Sequence, residues 1–159
     1  MKKNLAFLIS TLFGTGYFPK APGTAGSFVS LPVIFFVCFY FGFLGLLILI
    51  VTAYILAVIS IKEVLKYTKH DPGFVVIDEL IGQSVSFLFV ANYLKNNTEN
   101  LWIYIVGFLF FRLFDVKKPF PVGYIDKNFL TANGVILDDV FAGLYAAIVT
   151  FGIYFVFVL

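Results

Sequence analysis

From Phe28 to Ile61 the chain runs for 34 residues without one charged side chain. A helical span needs roughly 20 apolar residues, so this run is too long for a single straight crossing. Gly42 and Gly45 interrupt it and offer places to bend. The spacing predicts a hairpin of two membrane helices, the first of them short. Composition agrees, since 61% of the residues are hydrophobic and 13% are charged, against about 25% charged in a soluble domain.

Three further apolar runs fall at 80–94, 101–114 and 140–159, beside 28–41 and 43–61. They predict a single domain over 1–159, a polytopic membrane bundle of about four to five short helices. Runs 80–94 and 101–114 are short for full spans, which tilting or local thinning of the bilayer accommodates. If all five runs cross, the polar segments 13–27, 62–79 and 115–139 emerge together on the face that holds the N-terminus. That face carries Lys2, Lys3, Lys20, Lys62, Lys66, Lys69, Arg112, Lys117, Lys118 and Lys127, and only Lys95 falls opposite. The positive-inside rule makes it cytoplasmic, so we expect a multi-pass protein of the inner membrane with its polar groups facing the cytoplasm. Met1-Lys2-Lys3 followed by Leu5–Phe13 has the outline of a signal peptide, but its short apolar core argues for retention.

Two acid pairs are the chemical clue. Asp78-Glu79 and Asp138-Asp139 each stand at the head of an apolar run, in Ile-Asp-Glu-Leu-Ile-Gly (77–82) and Leu-Asp-Asp-Val-Phe-Ala-Gly (137–143). The helix macrodipole favours carboxylates at an N-terminus by about 0.3–1 kcal/mol each, which could account for one pair. Two pairs of adjacent, mutually repelling carboxylates in so apolar a chain call for a cation. Mg²⁺ suits them, because it takes one or two carboxylates together with phosphate oxygens and water. Gly82 and Gly143 would let neighbouring helices approach closely.

Basic groups lie nearby in sequence. In Phe-Arg-Leu-Phe-Asp-Val-Lys-Lys-Pro-Phe-Pro (111–121), Arg112 and Asp115 are three apart and so neighbours on a helix. Lys118 follows just before Pro119 ends it. This arrangement closes a membrane helix with an ion pair and snorkelling lysines, or it supplies Arg112 and Lys118 as phosphate ligands. The Gly/Pro-rich segment 13–27 adds Lys20, Thr24 and Ser27 and backbone N–H groups that can face an anion. It is not a Walker A loop. Several chemistries are excluded. Cys38 is the only cysteine and has no following arginine for a cysteine phosphatase, and one histidine supports neither a histidine-nucleophile phosphatase nor a Cys/His zinc cluster. A net charge of +2 gives no footing for nucleic acid.

Taken together, 13–27, 70–82 (His-Asp-Pro-Gly-Phe-Val-Val-Ile-Asp-Glu-Leu-Ile-Gly), 111–121 and 133–143 (Asn-Gly-Val-Ile-Leu-Asp-Asp-Val-Phe-Ala-Gly) resemble the phosphatidylglycerophosphatase A family in order and spacing. Ile77 and Phe120 stand where that family often carries tryptophan. The resemblance implies an all-helical fold and a Mg²⁺-dependent hydrolase of phospholipid biosynthesis. That enzyme removes the terminal phosphate of phosphatidylglycerophosphate to give phosphatidylglycerol. On this reading Asp78, Glu79, Asp138 and Asp139 hold one or two Mg²⁺ ions. Arg112, Lys118 and Lys20 clamp the phosphate, with Thr24, Ser27 and the amides of 23–27 assisting. Asp115 is a ligand, an orienter of Arg112 or a nucleophile. Two alternatives stand beside it: a small cation carrier or channel, whose charges would usually lie nearer the midplane, and a phosphatase for another lipid phosphate.

Overall fold

The uncharged run folds back on itself at Gly42. The computed structural model describes residues 1–68, 72–129 and 131–158; Lys69, counted in the charge asymmetry, and His70 and Asp71 of the 70–82 motif lie outside them. The described residues form six helices and no strand: α1 (Lys3–Ser10), α2 (Pro22–Val64), α3 (Ile77–Val85), α4 (Trp102–Lys117), α5 (Val122–Asn128) and α6 (Ala132–Val158), with a 3₁₀ turn at Thr15–Tyr17. Within α2, Gly42 adopts φ 61°, ψ −143°, a conformation that glycine reaches without a Cβ penalty. A Cβ built on Gly45 would lie 3.3 Å from Val37 Cγ1, residues that a straight helix would hold about 12 Å apart. The two arms are therefore antiparallel, and both outer ends return to the start of α3: Gly26 meets Val76, and Ile61 packs in one cluster with Ile77.

Two boundaries differ from the sequence reading. The first arm is not short, because the helix already begins at Pro22, where proline's missing N–H costs nothing. The apolar run 80–94 is helical only to Val85. The Ser84 and Ser86 hydroxyls donate to Leu80 O (2.7 Å) and Gly82 O (3.1 Å), the back-bonding that loosens helices. The chain then continues in turns, with Phe87, Val90, Ala91 and Leu94 fully buried. Asn92 Oδ1 accepts the Phe43 N–H at 2.9 Å, and the Asn96 N–H donates to Phe39 O at 2.9 Å. This segment is a wedge inside the bundle that fastens the tip of the hairpin.

Two helices, Pro22–Val64 and Ala132–Val158, are long and apolar enough to cross a membrane. Only 22% and 33% of their most apolar windows are buried, so neither is the core helix of a soluble fold. Phe36, Leu44, Ile48, Ile105, Leu109 and Ile148 are exposed, while Asp78, Glu79, Gln83, Asp138 and Asp139 are buried. The long helices are apolar on their outer faces, and the two acid pairs lie within. α1, at about 12 Å, is too short to cross. It packs Ala6 against Ala53, Ala57 and Ile61, and the Val76 N–H donates to Ser10 O at 2.9 Å.

The helices α3 and α6 cross at the two expected glycines. A Cβ on Gly143 would sit 2.3 Å from Gly82 O, and one on Gly82 would sit 2.7 Å from Asp139 O. This contact sets the two acid pairs side by side. Gly143→Ala should therefore destabilise the protein by about 1–3 kcal/mol through overpacking. Thermal unfolding in detergent reads this, and an unshifted midpoint would contradict the contact.

Candidate active site

Five helices converge on one cavity of ≈ 370 Å³. α3 brings Asp78 and Glu79 in its first turn. α6 brings Asp138 and Asp139, α4 brings Arg112 and Asp115, and Lys118 caps the end of α4. α5 contributes Asp126, and the first turn of α2 contributes Pro22 and Gly23. Parts of the polar segments 13–27, 62–79 and 115–139 line this cavity, and Lys95 lies against Gly42 at the hairpin tip. The second acid pair is not at a helix head, since α6 begins at Ala132. The macrodipole, which acts within the first turn, does not explain Asp138 and Asp139.

Arg112 ties three helices together. Its Nη1 lies 2.5 Å from Glu79 Oε2, 3.0 Å from Asp115 Oδ2 and 3.2 Å from Ser27 Oγ. Ser27 also lies 2.8 Å from Glu79 Oε2 and 2.9 Å from Gly23 O, so its hydroxyl serves as a positioning group for Glu79 and Arg112. A Cβ on Gly23 would collide with Glu79 Oε1, so a larger residue here would displace that carboxylate. Burial pushes the Glu79 carboxyl above the usual glutamate range, although Arg112 pulls the other way. At Lys118, burial favours the neutral amine, but bonds to Asp126 (2.5 Å) and Asp138 (3.2 Å) outweigh it and raise the pKa. Lys118 sits at φ 46°, a left-handed conformation that costs a non-glycine residue about 1–2 kcal/mol.

Among the described residues the charge balance of the cavity does not close. Its lining holds Asp78, Glu79, Asp115, Asp126, Asp138 and Asp139 against Arg112 and Lys118. Six described carboxylates face two described cations, and a phosphate would add to the excess. Glu79, Asp115 and Asp139 place one carboxylate oxygen each within 4.8 Å of one another. Asp138 Oδ1 is buried without a hydrogen-bond partner among the described residues, and Asp78 Oδ1 accepts the Glu79 N–H at 3.1 Å. An all-carboxylate donor set suits a hard cation such as Mg²⁺, so the residues fit that metal. The geometric cluster differs from the expected quartet, with Asp115 joining Glu79 and Asp139. Asp138 faces Lys118 instead, and Asp78 lines the same cavity.

Two expected phosphate ligands lie elsewhere. Lys20 and Thr24 line a separate groove on the other side of the first turn of α2. Asp126 is a cavity residue that the sequence reading did not single out. Its only signal was a place within the polar segment 115–139, eight residues after Lys118.

A family model described as phosphatidylglycerophosphatase A matches residues 8–154. A protein of Bacteroides thetaiotaomicron named putative phosphatidylinositol-3-phosphatase is 35% identical over 150 residues, covering 91% of this chain and 90% of its own. Two proteins named phosphatidylglycerophosphatase A are similar: one from Haemophilus influenzae (32% identical over 94% of this chain and 89% of its own) and one from Escherichia coli (29% over 88% and 78%). No solved structure matches the chain.

Removing one of the crowded acids should stabilise the metal-free protein. Asp139→Asn is expected to melt roughly 2–4 °C above wild type in excess chelator, the shift that about 1 kcal/mol gives a domain of this size. Added Mg²⁺ should raise the wild-type midpoint by mass action and leave the variant nearly unmoved. An Asp139→Asn midpoint below wild type in chelator would show that the acids do not strain one another.

Proposed function

The chain belongs to the phosphatidylglycerophosphatase A family, and from that premise we propose that it is a membrane-embedded, Mg²⁺-dependent phosphatase. Its substrate is the terminal phosphate monoester of phosphatidylglycerophosphate, and its products are phosphatidylglycerol and phosphate. The observation that carries this reading is the cavity's excess of carboxylates over basic groups, beside an arginine and a lysine held in fixed positions. Such a site accepts a phosphate only together with divalent cations. Mg²⁺ held by Glu79, Asp115 and Asp139, with Asp78 and Asp138 in reach of the same space, would neutralise the acids and polarise the phosphoryl oxygens.

The protein's own groups supply the rest. Arg112 has its Nε buried without a partner among the described residues, so a donor remains for a phosphoryl oxygen after Nη1 has bound Glu79 and Asp115. Lys118 brings a second positive charge, anchored by Asp126 and Asp138. Asp138 Oδ1 has no hydrogen-bond partner among the described residues and can accept a proton from a water that attacks phosphorus. The ester P–O bond then breaks, and the leaving lipid alkoxide takes up the proton that Asp138 accepted from the water. Asp115 holds Arg112 in orientation at 3.0 Å; a covalent phosphoenzyme on Asp115 is the other route that the geometry permits.

The acid cavity lies among the Lys/Arg-bearing segments of the sequence, and the positive-inside rule supports a reading in which it faces the cytoplasm at the headgroup level. A second substrate class has specific support in the similarity to a protein named for phosphatidylinositol 3-phosphate. Both lipids join a diacylglycerol, through a phosphodiester, to a polyol bearing a monoester phosphate.

The test is phosphate release by purified protein in detergent from each lipid, with Mg²⁺ and then with excess chelator. Release from phosphatidylglycerophosphate should vanish in chelator. Glu79→Gln and Asp139→Asn should each lower kcat by at least about 100-fold, the scale seen when a transition-state electrostatic group is lost. A folded Asp139→Asn protein turning over at the wild-type rate would refute the assignment. Faster release from phosphatidylinositol 3-phosphate would move the substrate to the inositol lipid.

A further inference from the structure

We propose that the groove behind the first turn of α2 seats the diacylglycerol arm of the phospholipid, with Lys20 paired to its phosphodiester, while the acid cavity takes the monoester. This rests on the phosphatase reading above and divides the substrate between two subsites.

The first turn of α2 is a partition. On one side Pro22 and Gly23 line the acid cavity, Gly26 meets Val76, and Ser27 bonds Glu79. On the other, Ala21, Thr24, Ala25 and Phe28 follow the i, i+3, i+4, i+7 spacing of one helix face and line a groove of ≈ 680 Å³ with Lys20. Ala21 belongs to both linings, so the two spaces adjoin there. A molecule that reaches from one to the other passes the start of α2.

The chemistry of the groove suits one occupant. Among the described residues Lys20 is its only charged lining residue, and no acid there pairs with it. Its position, next to Ala21, puts an uncompensated cation beside the cavity mouth. Away from Lys20 the groove becomes apolar, with Phe28 and Phe108 edge-to-face at 6.1 Å. Phe28 also lines a second groove of ≈ 350 Å³ that continues along Leu31, Pro32, Phe35 and Phe36. From Ala21 to Phe36 the helical rise covers about 22 Å, more than half of a hydrocarbon core of about 30 Å. An anion site at the head of an apolar track of this length matches a phosphodiester with its acyl chains.

The probe is dihexanoyl phosphatidylglycerol, which has the diester and acyl chains but no monoester. Its binding to detergent-solubilised protein is measured by titration calorimetry, beside dihexanoylglycerol, which has no phosphate. Lys20→Gln should weaken phosphatidylglycerol by about tenfold, as loss of one charge-assisted contact implies, and should leave dihexanoylglycerol nearly unaffected. Ala25→Trp, which fills the groove, should weaken both. Wild-type affinity for phosphatidylglycerol in Lys20→Gln overturns the proposal, and because Lys20 is exposed the substitution leaves the fold in place. Undiminished binding by Ala25→Trp overturns it as well. Phosphate release is followed on the same preparations. Protein that binds phosphatidylglycerol through Lys20 yet releases no phosphate would contradict the phosphatase reading and not the groove.

Discussion

Carboxylates that outnumber the bases among the described residues of one cavity govern the structure. An unpaired charge removed from water costs several kcal/mol, and here six acids share a cavity with two bases. Arg112 takes the largest part of that load by contacting Glu79, Asp115 and Ser27 at once. In doing so it locks α4 to α3 and α2. Lys118 performs the same service for α5 and α6 through Asp126 and Asp138. Among the described residues the lining still holds more carboxylates than bases, and a divalent cation would offset that excess.

Backbone contacts hold the acids in that crowding. Gly82 and Gly143 bring α3 and α6 to contact, and Gly23 lets α2 rest against Glu79. A side chain at any of these positions would push the carboxylates apart. The wedge after Val85 stiffens the arrangement from the other end, where Asn92 and Asn96 fasten the hairpin tip. Buried polar groups surrounded by exposed Phe, Leu and Ile reverse the soluble pattern, as expected where lipid tails replace water as the outer solvent.

Much of this was legible in the residues. The hairpin followed from a run too long for one span and a glycine able to take φ 61°. The acid pairs stood out because carboxylates are costly in so apolar a chain, and their glycine neighbours pointed to a close crossing. The rest depended on tertiary contacts that composition does not record. Residues 86–94 are as apolar as a helix, but they run as turns that bury Phe87, Val90, Ala91 and Leu94 in the bundle. α6 began well before residue 140 because Asp138 and Asp139 face the cavity and need no lipid-compatible surface. Ser27 and Lys20 belong to one short segment, yet Lys20 precedes α2 and lines the groove, whereas Ser27 sits on the helix and bonds Glu79. Asp126 carried no motif at all, and only the return of α5 toward Lys118 makes it part of the site.

The most direct test of the charge deficit is a titration of the purified protein with Mn²⁺, a spectroscopic stand-in for Mg²⁺, followed by electron paramagnetic resonance. The account predicts a saturable bound population that Mg²⁺ displaces and that disappears in Asp139→Asn. Absence of bound Mn²⁺ in folded wild-type protein, or an undiminished bound population in that variant, would contradict it.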